Sequence, residues 1–121
     1  MSYYEVMRQS LELSETMLNG IEHIRWKLAA GHFEEMLSLL QDVTEALVSI
    51  QEGGQQVAGE MKTGNPNDNM ERLLSALDEL VSAYESKDWE QALKAMENQV
   101  VPGFIAWKEE LERCYRPAVV S

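Results

Sequence analysis

Four runs of apolar residues at helical spacing dominate this chain and leave it little choice of fold. Met17, Leu18, Ile21, Ile24 and Leu28 fall on one face of a helix. Phe33, Met36, Leu37, Leu40, Val43, Leu47 and Ile50 form a second stripe, and Met70, Leu73, Leu74, Leu77, Leu80, Val81 and Tyr84 a third. The fourth runs Trp89, Leu93, Met96, Val100 and on through Phe104, Trp107 and Leu111. No segment alternates with a period of two, so no strand is predicted. The first helix should begin near Tyr3 and continue to about Ala29, a span of roughly 40 Å at the usual rise.

Short breaks separate three of the stripes. Ala30-Gly31-His32 and Ser86-Lys87-Asp88 read as tight helix–helix turns, with Asp88 as N-cap of the helix opening at Trp89. Such turns make neighbouring helices antiparallel. The long break covers about Gly53 to Asn69 and contains Thr63-Gly64-Asn65-Pro66-Asn67-Asp68-Asn69. Val57 and Met61 still fit the second stripe, so part of this break extends helix two. Pro102 lies within the fourth stripe and is expected to kink or break the last helix. The chain therefore reads as one all-α domain over residues 1–121. It is an antiparallel four-helix bundle made of a hairpin at 3–60, a linker at about 53–69 and a hairpin at 69–115.

The two hairpins resemble each other. A shift of 56 residues carries Met17 onto Leu73, Leu18 onto Leu74, Ile21 onto Leu77 and Ile24 onto Leu80. Past the turn it carries Phe33 onto Trp89, Glu34 onto Glu90, Leu37 onto Leu93 and Leu40 onto Met96. Both turns fall at the same phase, as expected for hairpins with a pseudo-twofold likeness.

Charge narrows the function. The net charge is −11 and the pI about 4.5. A nucleic-acid binder needs a basic footprint for phosphates, and an anionic membrane surface would repel this chain. No apolar run approaches a membrane span, and the start lacks the basic and apolar regions of a signal peptide. Cys114 is the single cysteine, so no intrachain disulfide can form and a reducing cytoplasm is expected. Cys114 reads as a buried small hydrophobe near the end of the last helix.

Catalytic signatures are missing. A di-iron bundle needs Glu-x-x-His on two helices, but Gly20 and Ala29 stand three residues before His23 and His32. Two histidines, one cysteine and scattered acids make no zinc set. No Gly-x-Ser-x-Gly elbow is present, and Gly53-Gly54 leads into Gln55-Gln56 rather than a phosphate loop. Glu34-Glu35 and Glu109-Glu110 are neighbours on helices and point about 100° apart, as solvated acids do. No enzyme activity, metal or cofactor is expected.

Two features point to a protein partner. From Leu28 to Met61 there is no lysine or arginine, so Glu34, Glu35, Asp42, Glu45 and Glu52 form an acidic face on helix two. Such a face can dock and steer a basic partner. The second feature is the apolar and aromatic set Phe104, Ile105, Trp107 and Leu111, with Trp89 upstream. Seven methionines add adaptable apolar surface. Val6 and Leu13 lie off the main seam of helix one, a surplus that suits a homodimer or a partner groove.

Ser86-Lys87-Asp88-Trp89, the acid-rich helix after it, Val101-Pro102 and Trp107-Lys108-Glu109 resemble a family of small, acidic, uncharacterised helical proteins of Gram-positive, spore-forming bacteria. The likeness covers the last third of the chain and implies no established activity. In size and hairpin pattern the chain also looks like flagellar export chaperones, which implies binding to a partner's terminal helix. Lys87-Asp88-Trp89-Glu90 is similar to the turn of a tetratricopeptide repeat, but the full repeat pattern is absent.

The reading that follows is a non-catalytic cytoplasmic adaptor or chaperone-like protein that binds a partner helix through Phe104, Ile105 and Trp107. The alternatives are a small-molecule or metal-binding bundle with a pocket near His23, Trp26 or Trp89, and a structural homodimer.

Overall fold

A computed structural model describes residues 2–58 and 69–119. Among them the chain is helical almost throughout and contains no strand. The elements are α1 (Tyr3–Ala30), α2 (Met36–Ala58), α3 (Met70–Glu85), α4 (Trp89–Ala95), a π-helical turn (Met96–Val100) and α5 (Val101–Val119). The last three run on as one helix over 89–119, giving the four-helix bundle that the stripes predict. The accessible surface of 7023 Å² is close to that expected for a compact chain of this mass.

Local chemistry sets the ends. The Ser2 hydroxyl accepts from the Glu5 amide at 3.2 Å and caps α1, and Asp88 Oδ1 accepts from the Gln91 amide at 3.1 Å and caps α4. α1 ends at Gly31, whose φ of 77° is left-handed. The α3–α4 turn is built the same way around Lys87, with φ 58°. Gly31 and Lys87 donate to the carbonyls of Leu28 and Tyr84, and His32 and Asp88 donate to those of Lys27 and Ala83. The 56-residue shift maps each of these bonds onto its counterpart, so the two turns match bond for bond.

Packing follows the same relation. Met17 and Leu73, Ile21 and Leu77, Ile24 and Leu80, and Leu40 and Met96 are all buried. Leu37 and Leu93 are equivalent too, but both are exposed. They belong to the helical stripes without reaching the core, because each sits on the flank of its stripe. Phe33 and Trp89 occupy the same position in the two hairpins and stack on each other, centroids 3.9 Å apart and planes within 6°. Tyr84 meets the Trp89 edge, and its hydroxyl donates to the Phe33 carbonyl at 3.1 Å. This cluster closes the end of the bundle where both turns lie.

Two boundaries are sharper than in the sequence reading. α2 continues through Gly53 and Gly54 to Ala58, with Val57 buried, so the first part of the break extends helix two as the fit of Val57 to its stripe predicts. Residues 59–68, including Glu60, Met61 and Pro66, lie outside the described residues. The last helix is not broken at Pro102. Proline lacks the N–H that an α-helix needs and its ring crowds the carbonyl four residues back. The preceding turn widens instead, and the Val101 amide donates to the Met96 carbonyl five residues back.

Candidate functional site

The aromatic set of the last helix is core. Phe104, Trp107 and Leu111 are buried, and Phe104 and Trp107 lie with ring centroids 5.7 Å apart. This corrects the expectation of a partner-binding face there, since side chains enclosed by the other helices cannot meet a partner without unfolding. Ile105, 46% exposed, is the one member of the group on the surface. Trp89 is half-buried in its stack with Phe33. Cys114 is half-buried rather than enclosed.

The histidines do not converge. His23 and His32 flank Trp26, which is 61% exposed: His32 stacks on the indole at 5.7 Å and His23 meets it edge-on at 6.4 Å. Among the described residues no three histidine, cysteine or acidic side chains gather as a metal set would.

The acids of α2 divide between two sides of the helix. Glu34 is exposed in the α1–α2 turn, and Glu35 pairs with Lys27 at 3.2 Å. Asp42 lines a pocket of about 320 Å³ between α1 and α2, with Leu13, Met17, Gly20, Leu39 and Val43. The absence of a side chain at Gly20 helps to open this pocket. Glu45 turns the other way, into a groove between α2 and α3. Glu52 is exposed one turn beyond Val48.

The α2–α3 groove was not legible in the sequence. Its volume is about 500 Å³, and it is lined by Leu37, Leu40, Gln41, Thr44, Glu45, Val81 and Glu85. Leu37 is 40% exposed at its edge, and Val48, three turns further along α2, is equally exposed. On α3, Leu74, Asp78, Val81 and Glu85 recur at intervals of four and three and so share one side. The groove is an apolar trough edged by acids.

The opposite seam, between α1 and the last helix, is closed by charge. Arg25 Nε donates to Glu97 Oε1 at 2.7 Å, and Lys108 Nζ to Glu15 Oε1 at 2.8 Å. The Glu97 hydrogen bond and charge raise the Arg25 pKa above its ordinary value. Burial pulls Lys108 down, but hydrogen bonds to Glu112 and Glu15 outweigh it and leave the ammonium above its usual range. The Lys108 hydrogen bond holds Glu112 below the ordinary carboxylate range. Among the described residues no ion pair crosses the α2–α3 seam.

Comparison with curated proteins and with solved structures returns no match. No helix among the described residues is long and apolar enough to cross a membrane. Residues 5–110 match the family described as a domain of unknown function, DUF8042, and the chain belongs to that family.

Proposed function

We propose that this protein is a non-catalytic, cytoplasmic protein-interaction module whose partner's helix lies along the α2–α3 seam. The observation that carries the reading is the seam itself: an acid-edged groove with Leu37 and Val48 partly exposed beside it. Exposed apolar side chains in a groove between helices are what an amphipathic helix uses as anchor points. The burial of Phe104, Trp107 and Leu111 speaks against a binding surface on that part of the last helix and so favours a reading centred on α2.

Tagged protein expressed in its native host tests this. A Leu37→Glu/Val48→Glu double variant should lose a stoichiometric partner, while an Ile105→Glu variant keeps it. Both side chains of the double variant are already partly in water, so its thermal midpoint should stay near that of the parent. Retention of the partner by the double variant, or no stoichiometric partner in the parent, would contradict the proposal.

A further inference from the structure

The likeness of the two hairpins under the 56-residue shift makes one seam of the bundle a reference for the other. Arg25–Glu97 and Lys108–Glu15 close the seam between α1 and the last helix. The 56-residue shift carries Arg25 onto Val81 and Glu97 back onto Gln41. It carries Glu15 onto Glu71. Allowing for the extra residue of the π turn, it carries Lys108 back onto Gln51. Neither cation has a counterpart in the α2–α3 seam.

Among the described residues the acids there make no ion pair across the seam. Glu45, Glu71, Asp78 and Glu85 are exposed on α2 and α3, whereas Glu52 lines a pocket between α1 and α2 with Val6, Gln9 and Gly53. α2 holds no lysine or arginine, and Arg72, the one base of α3, stands nine residues from Val81, about 180° around the helix. We propose that the α2–α3 seam takes a basic amphipathic helix, whose lysines or arginines supply the cations that Arg25 and Lys108 supply in the related seam. This rests on the reading of the seam as a protein-binding site and adds the chemistry of the partner.

Charge selects this occupant over others. A second copy of the chain brings a further net charge of −11, and like charges facing each other oppose association. A bare cation would satisfy the carboxylates and leave Leu37 and Val48 in water. A helix does both. Leu37 and Val48 are 11 residues apart, about 16 Å along the axis, the reach of a three-turn helix with apolar residues at i, i+4, i+7 and i+11.

The test is a display library of 14-residue peptides of helix-favouring composition, randomised in charge and apolar pattern and selected on the full chain. Peptides that bind the parent but not the Leu37→Glu/Val48→Glu variant report the seam. These are expected to carry net positive charge, to weaken as salt is raised, and to bind Glu45→Lys/Glu85→Lys at least about tenfold less tightly. Seam-dependent peptides that are neutral or acidic would overturn the basic partner and leave the binding site standing. A selection with no seam-dependent peptides would overturn both. Circular dichroism of each variant confirms that the bundle is intact.

Discussion

Trp107→Ala separates core from surface most sharply. The indole is 0% exposed and packs against Phe104. Truncating a buried Trp to Ala costs about 3–5 kcal/mol through lost transfer energy and the cavity left behind. Part of that returns, because Trp107 Nε1 is buried with no hydrogen-bond partner among the described residues, and removing an orphan donor recovers about 1–3 kcal/mol. The net expectation is a loss of about 2 kcal/mol, a sizeable share of the 5–15 kcal/mol typical of a domain. Trp107→Phe keeps most of the packing and also removes the orphan donor, so it should cost less than about 1 kcal/mol. Urea unfolding followed by circular dichroism measures both. If Trp107→Ala moved stability by less than about 1 kcal/mol, the indole would not be in the core and the assignment of the binding surface to α2 would lose its basis.

The turns give a paired prediction: Gly31→Ala should destabilise and Lys87→Gly stabilise, each by about 1 kcal/mol, because both positions are left-handed and only one holds glycine. Thermal melts of the two variants would show shifts of opposite sign. Tyr115 is fully buried, its hydroxyl has no hydrogen-bond partner among the described residues, and burial raises its pKa. Its neutral form is therefore favoured by folding, and that contribution is whole below the unfolded pKa of about 10 and lost as pH rises through the folded value. Tyr115→Phe should raise stability at pH 7 by about 1 kcal/mol and flatten the alkaline loss, both readable from melts at pH 7 and pH 11. Glu112 is held low by Lys108, so its contribution is present above the unfolded pKa and lost as pH falls through the folded value. Lys108→Met should shrink that acid loss, measured as the difference in midpoint between pH 7 and pH 3.

Helix positions were legible because spacing alone decides them. The stripes at 17–28, 70–84 and 89–111 lie in helices, the stripe at 33–50 does so from Met36 on, and both turns fell where Gly31 and Asp88 indicate. The repeat was legible too, down to the Phe33 and Trp89 positions, although their mutual stacking needs the two hairpins brought together. The role of the last-helix aromatics was not legible. Phe104, Trp107 and Leu111 have the spacing of a core face and of a docking face alike, and only the neighbouring helices distinguish the two. The π turn escaped because Pro102 announces a disturbed ladder without saying how the carbonyls before it are re-paired. The groove escaped because it depends on what α3 sets beside α2. Leu37 reads as one more member of its stripe, and Glu45 and Asp42 read as one acidic face until the structure puts them in different seams.

Hydrogen–deuterium exchange of the protein alone and with its captured partner tests the binding site most directly. The account predicts new protection over 37–52 and 71–85, the two sides of the α2–α3 seam, with the α1 and last-helix amides unchanged. Protection centred on 101–119, with none on α2, would contradict it.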